Sequence, residues 1–286
     1  MYNKLRTSLL EIIETWENAD GVRDEDVNDF PEFRLKQVLT DCSSFKLYRY
    51  SPPTYYNIRN IETQKIHLSE NGIMNDVFEG LPDFLGYKTY AQVKELHDLA
   101  YMTCFSESNK SVLMWSHYAK NHEGICVEYD FKRLYSTLDK YDVLGHLFPV
   151  VYRNKRTQYR DLESLTKSLS MLRDAIRENI VYDGEEELTD LLPLLLIKST
   201  DWDYEKEWRI LYTKKQMYDI NDDELYRMNI PLKCVSAIYL GYRIDPEVKQ
   251  NLIEISSRLS TVNGFVPVFQ AKLSPSGYGI EFAQLN

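Results

Sequence analysis

Glu205 and Glu207 stand two residues apart at the entrance to the apolar run Trp208-Arg209-Ile210-Leu211-Tyr212. In extended backbone alternate side chains share a face, so the two carboxylates are expected together, with Lys206 and Trp208 turned the other way. Like charges held close raise one of the two pKa values. A split pair suits a site where one carboxylate stays ionised while the other moves a proton or orients a hydroxyl. Trp202, Tyr204 and Trp208 add flat rings on which a base or pyridine can stack. The plainer reading of the segment is an exposed strand end with solvated charges. Arg209 falls on the carboxylate face of a regular strand, where pairing with Glu207 gives it a structural role.

A second group comprises Tyr48-Arg49-Tyr50 and Ser69, at the ends of two early strands, with Asn75 and Asp76 beyond them. A guanidinium there can clamp a phosphate through two parallel bonds, and a serine can serve a ribose hydroxyl; the competing reading is a surface arginine stacked on a tyrosine. Asn75 and Asp76 are read as closing a loop through side-chain to backbone bonds. His117 and His122 lie five apart, which on a helix separates them by more than a shared metal tolerates, so packing with a hydrogen bond from each ring is expected. Ser116 beside His117 carries no triad, because triad partners meet in space. No metal site is expected, although Glu128, Asp130 and Glu205 are the conceivable magnesium ligands of a nucleic-acid enzyme. The glycine patterns of phosphate loops and dinucleotide folds, and Gly-x-Ser-x-Gly, are absent.

These residues need a scaffold, and 286 residues with 43% hydrophobic content can bury a core unaided. Acidic residues (44) exceed basic ones (34), so nucleic acid is not the default partner. Cys42, Cys104, Cys126 and Cys234 show no Cys-x-x-Cys spacing and no export signal or membrane span is read, so a cytoplasmic location is expected. Leu5, Leu9, Ile12, Ile13 and Trp16 recur at helical spacing, predicting an amphipathic helix that ends before Gly21. Residues 1–40 are read as an N-terminal helical extension, packing on the core or on a second copy as a homo-oligomer contact, and 41–286 as one core. Within it, strands are expected at 45–50, 65–69, 100–106, 124–130, 148–152, 208–212, 235–240, 266–271 and 279–282. Helices are expected at 54–62, 112–119, across an insertion near 157–199, and from Asp245-Pro246 onward. Strands that do not alternate regularly with helices imply α+β, a single domain with a mixed sheet.

The order Leu47-Tyr48-Arg49-Tyr50, Ile66-His67-Leu68-Ser69 with Asn75-Asp76, Cys104-Phe105-Ser106, Leu113-Met114-Trp115-Ser116-His117-Tyr118-Ala119, Gly124-Ile125-Cys126-Val127-Glu128-Tyr129-Asp130, then Lys198 with Tyr204-Glu205-Lys206-Glu207-Trp208-Arg209-Ile210 resembles bacterial domain-of-unknown-function family 2971. More distantly it is similar to the ADP-ribosyltransferase superfamily, whose arginine-type members carry Arg, Ser and Glu-x-Glu in this order. That resemblance implies a mainly antiparallel sheet and NAD as substrate. It implies Glu207 on the nicotinamide ribose, Glu205 on an acceptor, Arg49 on a phosphate or the ribose, and Ser69, Tyr48, Trp202 and Tyr204 around the cofactor. The implied activity is that of an ADP-ribosyltransferase or NAD glycohydrolase, a toxin or phage-defence effector acting on an undefined acceptor without a membrane. A non-catalytic nucleotide- or protein-binding module, with Trp115, Trp202, Tyr204 and Trp208 as an aromatic stacking pocket, and a metal-dependent nucleic-acid enzyme are the other classes the residues allow.

Overall fold

The computed structural model describes residues 1–18, 35, 39–70, 75–76, 78, 100–135, 142–156, 194–214, 217 and 228–286. Most of the expected helical insertion therefore lies outside the described residues. In chain order the elements begin with α1 (Tyr2–Asn18), β1 (Lys46–Ser51), α2 (Tyr55–Glu62), β2 (Lys65–His67), β3 (Ser69–Glu70), β4 (Ala100–Ser106) and α3 (Val112–His117). β5 (Ile125–Asp130), β6 (Leu147–Pro149), β7 (Val151–Tyr152), β8 (Ile197–Lys198) and β9 (Glu207–Thr213) follow. The chain closes with β10 (Asn229–Pro231), β11 (Val235–Leu240), α4 (Pro246–Asn263), β12 (Val268–Leu273) and β13 (Ile280–Gln284).

One nine-stranded sheet carries the site, in the order β13-β12-β11-β5-β1-β4-β9-β6, with β3 attached to β4. Every pairing in it is antiparallel except β11 with β12. That parallel pair needs a crossover, which α4 supplies. Asp245 caps α4 by accepting from the backbone N–H groups of Glu247 and Val248 (2.8 and 3.2 Å), ahead of Pro246 in its first turn. Leu252, Ile255 and Leu259 then recur on the buried face. The fold is α+β, as the irregular alternation of strands and helices implies.

Several strand boundaries differ from expectation for local reasons. The run 65–69 breaks at Leu68: β2 pairs with the unanticipated β10, whereas β3 turns to β4 with Ser69 opposite Met102. The run 148–152 breaks after Pro149, which lacks an N–H for a continuous ladder. β6 stays on β9, and β7 leaves to pair in parallel with β8. The helix expected to reach Ser199 gives way to β8 at Ile197.

The inner strands β5, β9 and β11 are buried on both faces. One face joins Leu47, Val127, Phe105, Trp208 and Ile238 to Leu252 and Ile255 of α4. The other carries two separate apolar clusters. Met102, Phe148 and Leu211 of β4, β6 and β9 meet Leu9 and Ile13 of α1 and Leu194–Leu196; Tyr50, Cys126, Ala237 and Tyr239 of β1, β5 and β11 meet Met114 and Trp115 of α3. Leu5, Leu9 and Ile13 of the α1 stripe are thus buried within their own chain. The boundary between the two clusters falls at the junction of β1 and β4, and the polar site occupies it.

Candidate active site

Glu205 ends a 3₁₀ helix (Thr200–Glu205) whose cap is Ser199, and Glu207 begins β9. Lys206 between them has φ 45° and ψ 52°, the left-handed region, and not the extended backbone expected from the sequence. A non-glycine residue there costs roughly 1–2 kcal/mol, so its surroundings must over-determine it. They do so through the backbone. Ser106 Oγ donates to the Glu205 carbonyl (2.6 Å) and the Glu107 N–H to the Lys206 carbonyl (3.2 Å). The Glu207 N–H donates to the Tyr152 hydroxyl (2.7 Å), and its carbonyl accepts from the Val150 N–H (2.9 Å) and Arg6 Nη2 (3.1 Å). Arg6 reaches in from α1, where it also pairs with Glu107 (2.6 Å), and Glu107 in turn accepts from Trp208 Nε1 (2.8 Å).

The two carboxylates converge all the same, because one ammonium holds both: Lys198 Nζ lies 2.6 Å from Glu205 Oε2 and 3.1 Å from Glu207 Oε2. β8 delivers it, since Tyr152 and Lys198 are register partners. Arg209, completely buried, grips Glu207 with Nε on Oε1 (2.7 Å) and Nη2 on Oε2 (3.0 Å), while Nη1 donates to the Leu195 carbonyl. The expected Arg209–Glu207 pair is therefore present. Burial pushes the Glu207 pKa up, but Arg209 and then Lys198 outweigh it and hold the carboxyl well below its ordinary range. Glu205 is driven the other way: burial and the neighbouring Glu207 charge raise its pKa, against the opposing pull of Lys198 and the Tyr118 hydroxyl that donates to its Oε1. The environment thus shifts the two carboxyls in opposite directions, Glu207 down and Glu205 up.

Both face a cleft of about 720 Å³, within the range typical of small-molecule sites. It opens where β1 and β4 part company. Their pairing consists of Tyr48 opposite Ser106 alone; β1 continues along β5, while β4 continues along β9 and takes β3 on its other flank. Tyr48 and Arg49 on β1, Ser69 on β3 and Cys104 on β4 thus join Glu205, Glu207, Lys198 and Tyr118 around one opening. Arg49 Nε donates to Thr103 Oγ1 (3.1 Å), and among the described residues its guanidinium makes no ion pair. Asn75 donates to Tyr118 (3.2 Å) at the rim, whereas Asp76 accepts from the Phe78 N–H (2.9 Å), the loop closure expected of it.

Other expected members stand elsewhere. Trp202 and Tyr204 are not among the lining residues: their rings lie 6.2 Å apart beside the cleft, with Lys198 Nζ 4.8 Å from the Trp202 ring. Trp208 and Trp115 are core side chains, not stacking platforms. His117 lines the cleft from an exposed position and His122 does not; neither ring makes the expected hydrogen bond among the described residues. Glu128 is held by Lys46 (2.8 Å), Ser236 (2.8 Å) and Tyr239 (3.0 Å), and Asp130 accepts from the Phe45 and Lys132 N–H groups. The three conceivable magnesium ligands are thus separately partnered, and among the described residues no metal-holding group of His, Cys, Asp and Glu occurs. No helix of the described residues is long and apolar enough to cross a membrane. Sequence reasoning did not foresee the roles of Lys198, Tyr118, Tyr152, Arg6 and Glu107. Only Lys198 carries a usable signal, a lone cation ending an apolar run shortly before an acidic segment.

Residues 114–210 match the model of a family described as Protein of unknown function (DUF2971), and the match places that segment in the family. It spans α3 to the middle of β9, with Tyr118, Lys198, Glu205 and Glu207 inside it and Arg49 and Ser69 outside. No curated protein and no solved structure gives a significant match.

Proposed function

We propose that this chain cleaves NAD, as an ADP-ribosyltransferase or NAD glycohydrolase, on an ADP-ribosyltransferase-like scaffold. The observation that carries the reading is the meeting of Arg49, Ser69, Glu205 and Glu207 around one cleft. In the reaction the bond between ribose C1 and the nicotinamide nitrogen breaks, its electron pair leaves with nicotinamide, and positive charge develops on the ribose. A preorganised carboxylate stabilises that charge most effectively in a site that excludes water. Glu207 suits this role because Arg209 and Lys198 keep it ionised and immobile. Glu205, with its raised pKa, takes the proton from the attacking acceptor or water as the new bond to C1 forms. Arg49 holds a phosphate or the ribose, Ser69 and Tyr48 line the pocket, and a toxin or phage-defence role is the biological setting proposed for such NAD consumption.

Nicotinamide release from NAD by the purified protein is the test. Release is expected in the wild type and should fall by at least about a hundredfold in Glu207→Gln, the scale of losing one transition-state electrostatic group. No release, or release unchanged in that variant, overturns the reading. One observation favours a non-catalytic nucleotide-binding module instead: both Glu207 oxygens are already engaged by Arg209 and Lys198. Nucleotide-dependent stabilisation against melting, with no turnover, would select that alternative.

A further inference from the structure

In the proposed reaction Glu205 receives a proton, yet it is only 3% exposed and both of its oxygens are engaged. Oε2 takes the Lys198 ammonium at 2.6 Å, and Oε1 accepts from the Tyr118 hydroxyl. Tyr118 is itself half-buried and lines the same cleft. A phenol offers one hydrogen and two lone pairs. The hydrogen goes to Glu205, and one lone pair accepts from Asn75 Nδ2 (3.2 Å), which leaves the other lone pair for a group in the cleft. A proton taken up by Tyr118 from the cleft therefore has its onward bond already made, to Glu205 Oε1. Burial and then the neighbouring Glu205 charge raise the Tyr118 pKa, so the ring rests as a neutral phenol and releases its hydrogen only as it gains another.

The backbone holds Tyr118 in this position from both sides. It closes α3, where Ser111 Oγ accepts from the Met114 N–H (3.3 Å) at the other end and the completely buried Trp115 donates through Nε1 to the Asn109 carbonyl (2.8 Å). Beyond it Lys120, Asn121 and His122 all have positive φ (47°, 52° and 68°), at a cost of roughly 1–2 kcal/mol each. Their N–H groups are nonetheless used: Asn121 donates to the Ser116 carbonyl (3.2 Å) and His122 to the Trp115 carbonyl (3.1 Å). Arg243 locks the turn from outside, its backbone N–H on the His122 carbonyl (2.9 Å) and its guanidinium on the Asn121 carbonyl. Three successive left-handed residues persist only where the surroundings over-determine them, and here they fix the end of α3 that presents Tyr118.

We propose that Tyr118 is a proton relay between the attacking group and Glu205, an inference that rests on the NAD-cleaving reading of the cleft. As the oxygen of water or of a hydroxyl acceptor forms its bond to ribose C1, its hydrogen passes to Tyr118 Oη and the Tyr118 hydrogen passes to Glu205 Oε1. The electron pair of the C1–nitrogen bond leaves with nicotinamide; Tyr118 ends as it began and Glu205 ends protonated. Nicotinamide release is followed in single turnovers of the full chain and of Tyr118→Phe, with water and with azide, an anion that brings no proton, as the nucleophile. With water the variant is expected to lose at least about tenfold, and with azide to stay within about twofold of the wild type. In mixtures of light and heavy water the wild-type rate should fall along a bowed curve, because two hydrogens move together, and this measurement needs no variant. A loss smaller than tenfold with water, equal losses with water and azide, or a straight-line isotope dependence in the wild type overturns the relay and leaves the NAD-cleaving reading standing. Absence of release from the wild type refutes that reading, and the relay with it.

Discussion

Replacing Lys198 with methionine keeps the length of the side chain and removes the charge that both carboxylates share. Lys198 and its two partners are each almost fully buried, so the change leaves Glu205 facing Glu207 with Arg209 as the remaining cation. Breaking a buried pair by deleting one member costs about 3–5 kcal/mol. For a chain of this size the low end of the usual range, about 2 °C per kcal/mol, converts that to a melting temperature lower by roughly 6–10 °C. The deficit must depend on pH. Glu205 has a raised pKa in the fold, so folding favours its protonated form and that contribution disappears as pH climbs through the folded value. Glu207 is depressed, so its contribution is present above the ordinary carboxylate range and disappears only as pH falls toward its low folded value. Deleting Lys198 pushes Glu205 higher still, and protonation then relieves the repulsion. Melting followed by circular dichroism should therefore show a larger deficit near pH 8 than near pH 5. Equal deficits at the two pH values, or none, would refute the idea that one ammonium neutralises both carboxylates.

Arg6→Ala should lower stability by about 2–3 kcal/mol, the scale of charge-assisted hydrogen bonds lost from a half-buried site, because it frees α1 from Val150, Glu107 and Glu207 together; denaturant unfolding measures it, and a change below about 0.5 kcal/mol would mean that α1 is held by its apolar face alone. Gly241→Ala should cost at least about 3 kcal/mol, since a Cβ there would sit 2.2 Å from the His122 carbonyl oxygen, a backbone atom that cannot rotate away. Thermal melting of that variant should show the loss, and wild-type stability would mean that the turn after α3 is free to move. Tyr118→Phe removes a donor to Glu205 and should raise its pKa further, read as an upfield-to-downfield carboxyl ¹³C transition at higher pH than in the wild type. A midpoint that stays put would show that the hydroxyl does not bond the ionised form.

The candidate site was half legible in the sequence, and the division follows the range of the interactions. Arg49 lies within β1, Ser69 and Glu207 open β3 and β9, and Glu205 ends the preceding 3₁₀ helix; residue type and chain order suffice to nominate them, and the structure brings all four to one cleft. The aromatic assignments go astray for a definite reason: β9 is buried along its whole length, so alternation along it does not distinguish a ligand-facing side from a core-facing side. Trp208 fills the core while Arg209 and Glu207 form the polar side, a distribution decided by α1, α4 and Leu194–Leu196 rather than by the strand itself. Nor does local sequence report that β1 and β4 pair at a single position, because the divergence is created by β3 taking the other flank of β4 from thirty residues away. Lys198 is the extreme case. A two-residue parallel strand, preceded by the long segment that separates it from β7, carries the cation that bridges both carboxylates. Glu-x-Glu alone therefore specifies two like charges in proximity; the ammonium that bridges them arrives only when β8 docks on β7. Perturbing that docking, for instance by substituting proline at Ile197, should disturb the titration of Glu205 and Glu207 without touching either residue.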